Sequence, residues 1–367
     1  MSSTSSPNCD IIIPIWNELD LTRRCLESIR SGTHWPVRLT LIDNGSEVPT
    51  RGFLEQFSKK HDGGIQLIQN AKNLGFIKAV NQGIQQSNHP WVCLLNNDTL
   101  VTEGWLTEMI RVAEQDDAIA LINPSSNTLG SKPPGKDPEA IRIYAKEIAR
   151  NGVGKTRELS MAVGFCMLIR RKVIDQIGLF DEQYGLGNFE DADFSKRALK
   201  EGYRCVQALG AYVYHEEKVS FKKQAQWEKA FAENQKVFYQ KWGRPLRIVL
   251  EASEQPEWMQ GNWSKLWIQL LQDGNWVFHQ TDTDSVPTAV EQFAQWVPLA
   301  ANGGSKLGLI WHVLRKKKKP IDLAIVSDPQ VAQLLERMRP FHRAAVLCQP
   351  TVQQIEETCR QLSHFQS

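Results

Sequence analysis

The sequence predicts a mixed α/β fold with a mostly parallel sheet flanked by helices, followed by a small C-terminal α/β domain. Two observations indicate this. Up to about residue 122, short apolar runs alternate with amphipathic runs, and a similar alternation returns after residue 320. Strands that alternate with helices in this way form parallel sheets with right-handed crossovers. The length of 367 residues is also long for one domain.

The spacing of the apolar residues predicts each N-terminal element. Strands are predicted at 10–15, 38–42, 65–68, 91–95 and 118–122. Helices are predicted at 21–29, 48–58, 77–86 and 105–114. Four prolines then interrupt the pattern and predict a long loop or lid over 123–160, which encloses a short helix at 139–151. Further on, the pattern predicts strands at 161–170, 204–208 and 211–214 and helices at 191–201 and 221–242.

We expect a disordered N-terminus over 1–8, a main domain over 9–248 and an accessory domain of unassigned role over 249–367. The accessory domain repeats a strand–helix–strand–helix pattern at 321–327, 331–338, 344–347 and 352–362. It also contains a basic run, Arg315–Lys319. A solvated linker is the favoured interpretation of this run, and a membrane or phosphate contact is the alternative.

Composition excludes several classes of protein. The formal charge of +2 gives no argument for a nucleic-acid partner. Seven cysteines occur singly and without a Cys-x-x-Cys motif, which favours buried free thiols in a reducing cytosol over a zinc site or disulfides. The N-terminus does not resemble a signal peptide, and no apolar run reaches the ~20 residues that span a bilayer. We therefore expect a cytoplasmic protein without a transmembrane segment, with peripheral membrane contact left open.

Polar residues follow the predicted strand at 91–95, in the sequence Asn96-Asn97-Asp98. In an open α/β sheet, ligands bind just outside the carboxyl ends of the strands. A lone carboxylate after two neutral amides suits one hard cation on a diphosphate better than an all-protein metal site. The alternative is an Asx-rich turn that caps the next helix.

The first two strands also end in polar residues, at Asn17 and at Asp43-Asn44-Gly45-Ser46. Both ends should lie near the same crevice of the sheet. The Asp43 carboxylate can accept the imide N–H of a uracil or thymine ring, and its alternative role is to cap its own turn. The first turn lacks a Gly-x-Gly-x-x-Gly loop, which argues against an NAD-binding or kinase-type site.

Three further segments carry candidate site residues. Asn73 and Gly75 precede a predicted helix, where backbone N–H groups can approach an anion and Lys78 can add positive charge, although a capped structural helix is the alternative. Glu190, Asp191 and Asp193 crowd three carboxylates into one helix start, and crowding raises a carboxyl pKa as a general base requires. His215 ends a strand, where a hydrogen-bonded surface role is more frequent than metal ligation.

Taken in order, these segments resemble inverting glycosyltransferases of family 2, which have the GT-A fold. The resemblance covers roughly residues 8–245 and depends on a set of ordered motifs. They are Ile13-Pro14 with Asn17, Asp43-Asn44-Gly45-Ser46, Asn73-Leu74-Gly75-Phe76 with Asn81 and Gly83, Asn96-Asn97-Asp98, Gly164-Phe165, Phe180-Asp181-Glu182, Glu190-Asp191-Ala192-Asp193, and His215.

The resemblance implies transfer of a sugar from a UDP- or dTDP-sugar to an acceptor hydroxyl with inversion, in cell-surface polysaccharide or glycan synthesis. The acceptor would be a glycan, a lipid-linked sugar or a protein. Asp98, in an Asn-Asn-Asp variant of the family's Asp-x-Asp motif, would hold Mn²⁺ or Mg²⁺ together with His215. Asp191 would be the general base, with Glu190 as its neighbour or rival. The implied donor-binding residues are Pro14, Ile15, Asn17, Asp43, Asn73, Gly75, Lys78, Asn97 and Asp98.

Two other functions remain as alternatives. A sugar-1-phosphate nucleotidyltransferase shares this sheet type, but it requires a glycine-rich basic loop after the first strand, where this chain has Trp16-Asn17-Glu18-Leu19-Asp20. A non-catalytic nucleotide-sugar or glycan binder is the second alternative. The presence of Asp98, Asp191 and His215 argues against a decayed active site of that kind.

Overall fold

The protein consists of two structural units. The computed structural model describes residues 8–61, 64–216, 225–252, 255–280, 286–299, 306–314 and 319–364. Contacts divide the chain into a first unit, 1–235, and a second unit, 236–367. The domain boundary expected at 248 lies inside a strand of the second unit, Arg247–Glu251. The N-terminal segment expected to be disordered lies outside the described residues, except for Asn8.

The first unit contains nine strands and seven helices within the described residues, and an eighth helix extends into the second unit. The strands are β1 (Cys9–Ile15), β2 (Val37–Asp43), β3 (Ile65–Gln69), β4 (Trp91–Leu95), β5 (Thr99–Val101), β6 (Ile119–Ser125), β7 (Thr156–Leu159), β8 (Cys166–Arg170) and β9 (Arg204–His215). The helices are α1 (Leu19–Gly32), α2 (Val48–Lys60), α3 (Phe76–Gln85), α4 (Trp105–Ala113), α5 (Pro138–Gly152), α6 (Arg171–Ile177), α7 (Glu190–Lys200) and α8 (Ala225–Trp242).

All nine strands form one sheet, whose order is β3-β2-β1-β4-β8-β6-β9-β5 with β7 paired to β9. The strands β1 to β4, β6 and β9 run in one direction. The strands β5, β7 and β8 run antiparallel to their neighbours. The prediction of a mostly parallel α/β sheet is therefore confirmed. The carboxyl ends of β1, β2 and β4 lie along one edge, because these strands pair in parallel.

Helices cover both faces of this sheet because successive residues of a strand point to opposite sides. Ile11, Ile13 and Ile15 of β1 pack in one core cluster with buried residues of α1, α2 and α4. Ile12 faces the other side, where Gly83 of α3 approaches it. The continuous apolar sequence of β1 thus reflects burial on both faces, as is typical of a central parallel strand.

Gly83 allows α3 to lie directly against the sheet. A Cβ atom at this position would lie 2.5 Å from Ile12 Cγ2 and 2.9 Å from Ile42 Cδ1. We expect Gly83→Ala to lower the free energy of unfolding, because an overpacking cost of about 1–3 kcal/mol exceeds the gain of about 1 kcal/mol in helix propensity. Urea denaturation measures this change. Gly52→Ala in α2 is the matched control, since no atom lies within 4 Å of its added Cβ. We expect the control to be neutral or stabilising, and equal effects of the two substitutions would contradict this packing.

The region from 99 to 215 differs from its prediction in several ways, which include the helix α6 that was not predicted. The short antiparallel strands β5 and β7 were not predicted. The strand expected at 161–170 is shorter, since β8 begins at Cys166. The two runs expected at 204–208 and 211–214 form the single strand β9, because pairing with β6 continues through a register irregularity. The helix expected at 139–151 is confirmed as α5.

The second unit contains a parallel five-stranded sheet within its described residues, with the order β12-β11-β10-β13-β14. Its strands are β10 (Arg247–Glu251), β11 (Trp276–Gln280), β12 (Trp296–Pro298), β13 (Leu323–Val326) and β14 (Ala345–Cys348). Its helices are α9 (Asn262–Gln272), α10 (Thr288–Glu291), α11 (Lys306–Leu314), α12 (Pro329–Arg337), α13 (Arg339–His342) and α14 (Val352–His364). The sequence predicted only the last two strands and helices α12 and α14. The strands β10 to β12 were missed because their sequences, some of them rich in tryptophan, show no regular alternation of apolar and polar residues.

Candidate active site

The loops that follow β1 and β2 are joined by side chain to backbone hydrogen bonds. Asn17, which has a φ of 57°, donates its backbone N–H to Ser46 Oγ at 2.9 Å and accepts the N–H of Glu47 on Oδ1 at 2.8 Å. Asp43 is fully buried and accepts the Ser46 N–H at 2.8 Å, and Arg51 Nε lies 3.4 Å from its other oxygen. The Asp43 carboxylate therefore holds its own turn, and its contact with a base stays a prediction.

Asn44 joins the β2 end to the segment before α3, a role that the sequence did not reveal. Its amide nitrogen donates to Asn73 Oδ1 at 2.9 Å and to the Gly75 carbonyl at 3.1 Å. Its amide oxygen accepts the Leu74 N–H at 3.0 Å. Asn73 also accepts the N–H of Gly75, which fixes the entry to α3. The only sequence signal was the position of Asn44 beside Asp43 in a turn motif.

The other predicted donor-binding residues lie around the same edge. Pro14 and Ile15 are the last residues of β1 and pair with Ile42 and Asp43. Lys78 is exposed on α3. Backbone groups and one cationic side chain therefore lie near the β1–β2 edge. Their contacts with a donor stay predictions.

Asn97 connects the motif after β4 to α1. Its amide nitrogen donates to Thr22 Oγ1 at 2.9 Å, and Thr22 is buried. The carbonyl of the preceding Asn96 accepts a hydrogen bond from Thr99 Oγ1 at 2.8 Å. The two amide residues thus shape the backbone that leads into and out of Asp98.

Asp98 and His215 meet because β5 pairs with the end of β9, where Thr99 lies opposite His215. Asp98 Oδ1 lies 3.1 Å from His215 Nε2, and both side chains are largely buried. Asp98 Oδ1 is nevertheless a buried oxygen without a hydrogen bond of good geometry. A buried acceptor that lacks a hydrogen bond is costly unless another group satisfies it. The structure thus brings together the two residues that the sequence predicted as metal ligands.

His215 is held by its neighbours with Nε2 turned toward Asp98. Its Nδ1 lies 3.0 Å from Thr128 Oγ1, and its backbone exchanges two 2.8 Å hydrogen bonds with the Asn127 amide. Its ring stacks on Phe165 with centroids 5.0 Å apart. Such support of the second ring nitrogen is typical of metal-binding histidines. Thr128 and Asn127 lie in the region expected to form a loop or lid and were missed.

The donor set fits a divalent cation that shares its ligands with a diphosphate. Among the residues that the structure describes, no group of three or more His, Cys, Asp or Glu residues is placed to hold a metal ion. Mg²⁺ in nucleotide sites takes one or two carboxylates, and phosphate oxygens and water supply the rest. Asp98 and His215 match such a partial set, and an imidazole ligand suits a transition ion better than Mg²⁺.

The three carboxylates at the start of α7 have different partners. Asp193 is fully buried and pairs with Arg197 Nε at 2.9 Å, which makes it a structural ion pair. Asp191 accepts the Gly164 N–H on Oδ2 at 3.0 Å and the Ala192 N–H on Oδ1 at 2.8 Å. Only two of the three carboxylates, Glu190 and Asp191, are thus available for chemistry.

Burial raises the pKa of both Glu190 and Asp191. Burial, and then the negative charge of Asp191, raise the pKa of Glu190 to about 8. Its Oε2 atom is buried without a hydrogen bond. Burial also raises the pKa of Asp191, but its bonds from Gly164 and Ala192 oppose this by stabilising the carboxylate. Hydrogen bonds to a carboxylate favour its ionised form, which is the form that a general base needs.

The raised pKa of Glu190 predicts a pH-dependent effect of Glu190→Gln on stability. A carboxyl group with a raised pKa stabilises the fold below its ordinary value of 4.5, and this contribution is lost as pH rises through about 8. Because Gln is always neutral, we expect the variant to exceed the wild type in stability by on the order of a few kcal/mol at pH 9, and by little at pH 5. Urea denaturation at both pH values measures this. The exposed Glu201→Gln is the control, and an effect independent of pH would contradict the raised pKa.

Gly164 and Phe165 link the carboxylate and the cation pair. Gly164 donates its N–H to Asp191, and the next residue, Phe165, stacks on His215 and accepts the Asn96 N–H at 2.8 Å. The segment before β8 therefore brings the start of α7 close to the ends of β4 and β9. This makes one site of motifs that are about 90 residues apart in sequence.

The glycine-rich segment before α7 closes the site on its other side. A Cβ at Gly75 would lie 3.2 Å from the Gly185 carbonyl, and a Cβ at Gly187 would lie 3.9 Å from the Glu190 carboxylate. Asn234 of α8 donates its amide to the carbonyls of Tyr184 and Gly187 at 2.7 and 2.9 Å. The entry to α3 and the start of α7 thus lie together, and Asn234 fixes the segment between them. No pattern in the sequence pointed to Asn234.

Comparison with known proteins identifies the family of the segment that contains part of this site. The family model named Glycosyl transferase family 2 matches residues 10–178, which include β1 to β4, Asp43, Asp98 and Gly164. Residues 10–178 belong to glycosyl transferase family 2. The resemblance expected from the ordered motifs is therefore confirmed, and Asp191 and His215 lie beyond the matched segment of this glycosyltransferase domain.

Two curated relatives are also named as glycosyltransferases. Glycosyltransferase AglE of Haloferax volcanii is 25% identical over 211 residues, which cover 55% of this chain and 64% of that protein. An N-acetylglucosaminyl-diphospho-decaprenol L-rhamnosyltransferase of Mycobacterium tuberculosis is 26% identical over 230 residues, covering 52% of this chain and 70% of that protein. The chain thus spans less than two thirds of AglE, and it spans 25% of an uncharacterized protein of Sinorhizobium fredii.

A solved structure resembles the chain more weakly. The mannosyltransferase PcManGT from Pyrobaculum calidifontis, in complex with GDP-Man and Mn²⁺, is 16% identical and has a TM-score of 0.49. The match covers 65% of this chain and 64% of that one. A score below 0.5 adds nothing to the family match. Within the described residues, no helix of the glycosyltransferase domain or of the second unit is long and apolar enough to cross a membrane.

Proposed function

We propose that this protein is a metal-dependent inverting glycosyltransferase that moves a sugar from a UDP- or dTDP-sugar to an acceptor hydroxyl. The observation that carries the proposal is the link through Gly164 and Phe165, which joins a buried carboxylate to the Asp98–His215 pair. A nucleotide-sugar transferase needs both a base for the acceptor and a site for the leaving diphosphate. The family match supports the same reaction class.

Asp98 and His215 would hold the cation, Mn²⁺ or Mg²⁺. When bound, such a cation stabilises negative charge on the leaving diphosphate. The oxygen of Asp98 that lacks a well-formed hydrogen bond is a ready ligand, and Thr128 and Phe165 fix the imidazole beside it. Asn97 would keep the backbone of the motif in place through its bond to Thr22.

Asp191 would act as the general base. It takes the proton of the acceptor hydroxyl while the acceptor oxygen attacks the anomeric carbon from the face opposite the diphosphate. The bond between that carbon and the diphosphate oxygen breaks, so the sugar is transferred with inversion and a nucleoside diphosphate leaves. Glu190, with its raised pKa, stays largely protonated at neutral pH and is the neighbour rather than the base.

The donor would lie along the β1–β2 edge and the entry to α3. Asp43 with the backbone at Pro14 and Ile15 would contact the base, and Asn17 would support this turn. Asn73, Gly75 and Lys78 would contribute N–H groups and positive charge for the phosphates. The acceptor is a glycan, a lipid-linked sugar or a protein in the synthesis of a cell-surface polysaccharide or glycan. The decaprenol-linked substrate in the mycobacterial relative's name supports this class of acceptor.

Release of nucleoside diphosphate from a panel of UDP- and dTDP-sugars, without an acceptor, tests the proposal. We expect slow hydrolysis of at least one donor with Mn²⁺ or Mg²⁺ and none with EDTA. If no donor binds or turns over with either metal, the proposal is wrong. Binding without turnover, even with acceptor glycans added, would instead identify a non-catalytic nucleotide-sugar binder.

A further inference from the structure

One layer of the second unit exposes large apolar side chains. Trp311 of α11 is 66% exposed, Phe341 of α13 is 76% exposed and Leu334 of α12 is 40% exposed. The three helices pack against one another. Helices α11 and α12 bury their other sides in one core cluster, and α13 buries His342, whose Nε2 lies 2.9 Å from the Leu335 carbonyl oxygen. Exposed apolar residues are ordinary when they are scattered, but several on adjoining helices mark an interaction surface.

The same layer is basic. Arg337 and Arg339 lie at the junction of α12 and α13, Arg343 follows α13, and all three are exposed. Glu336 is the only carboxylate within the sequences of the three helices, and it pairs with Arg339 at 3.6 Å. The described charged residues of this layer, three arginines and one glutamate, therefore carry a net positive charge.

We propose that this surface docks on an anionic lipid bilayer; we call it the α11–α13 face and define it by Trp311, Leu334, Phe341, Arg337, Arg339 and Arg343. Tryptophan and phenylalanine side chains insert at the boundary between head groups and acyl chains, and arginines bind the phosphates around them. Since no described helix can cross a membrane, the helices would lie in the plane of the interface. The docking is a property of the second unit and does not depend on the proposed transfer reaction.

Charge favours a bilayer over a second copy of the chain. A two-fold dimer through this face would place the same patch against itself. Its arginines would then face arginines, with Glu336 as the only carboxylate of the three helices to offset them. An anionic bilayer offers negative charge across the whole surface and accepts the apolar side chains at the same time.

Co-sedimentation of the full chain with lipid vesicles tests this proposal. We expect binding to phosphatidylcholine vesicles that contain phosphatidylglycerol, weaker binding at high salt, and little binding to phosphatidylcholine alone. The variant Arg337→Gln/Arg339→Gln/Arg343→Asn should bind about a hundredfold more weakly, at about 1 kcal/mol per basic residue. Asn is chosen at 343 because Arg343 has a φ of 61°, which Asn tolerates.

A second variant tests the apolar part of the face. Trp311→Ser/Leu334→Ser/Phe341→Ser should bind at least tenfold more weakly, whereas Trp276→Ser, which removes an exposed tryptophan of β11, should bind like the wild type. All substituted residues are exposed, so thermal melts should stay close to that of the wild type. Equal binding by wild type and both face variants, or no binding to anionic vesicles, would overturn the proposal. Sedimentation velocity would reveal a dimer that these variants abolish, and such a dimer without vesicle binding would also overturn it.

Discussion

Asp191→Asn is expected to lower sugar transfer by about 10²–10⁴-fold while donor binding is retained. The loss follows because Asn cannot accept the proton of the acceptor hydroxyl, and general base catalysis contributes a factor of this size. Binding should persist because the amide oxygen of Asn can still accept the Gly164 N–H, so the start of α7 keeps its position. Transfer assays combined with calorimetric titration of the nucleotide separate the two effects.

The neighbouring residue provides the matched control for this prediction. Glu190→Gln should keep most of the transfer activity, because Gln has the shape and neutrality of a protonated Glu190. If transfer survives in Asp191→Asn but is lost in Glu190→Gln, then Glu190 is the general base and Asp191 is its neighbour. Transfer that survives in both variants would place the base elsewhere.

Asp98→Ala is expected to lower transfer by at least about a hundredfold and to make the remainder insensitive to added Mn²⁺. The loss of stabilisation of the leaving group, worth several kcal/mol, accounts for this size. Without its carboxylate partner, His215 is the only side chain left of the proposed cation site. A series of Mn²⁺ concentrations at fixed donor and acceptor measures the effect.

Glu103→Gln is the control for Asp98, because it removes a nearby exposed carboxylate that lies outside the site. It should follow the Mn²⁺ dependence of the wild type. An Asp98→Ala protein with undiminished, metal-dependent transfer would show that the cation is held by other residues.

The sequence predicted the central strands β1 and β4 well because they are buried on both faces. A short continuous apolar run such as 91–95, with predicted amphipathic helices before and after it, is typical of a buried parallel strand. The short strand β5 was missed because three residues, Thr99–Val101, give no measurable period. The antiparallel direction of β8 was also missed, since it depends on pairing with β4, about 70 residues away in sequence.

The candidate site was predicted as a set of residues but not as an arrangement. The motifs at Asp43, Asp98 and His215 lie at the ends of strands and that at Asp191 lies at the start of a helix, where local patterns are informative. The pairing of Asp98 with His215 and the link through Phe165 depend on β5–β9 contacts that no local pattern reports. The structural role of Asp193 had a signal, because Arg197 follows it at the i,i+4 spacing of a helical ion pair.

Electron paramagnetic resonance of Mn²⁺ tests the central claim most directly, namely that Asp98 and His215 form the cation site of a nucleotide-sugar transferase. Titrations would compare the wild type, Asp98→Ala and Asp191→Asn, each with and without UDP or dTDP. We predict weak Mn²⁺ binding that tightens with the nucleotide in the wild type and in Asp191→Asn, and that is lost in Asp98→Ala. Nucleotide-dependent Mn²⁺ binding that is unchanged in Asp98→Ala would contradict it.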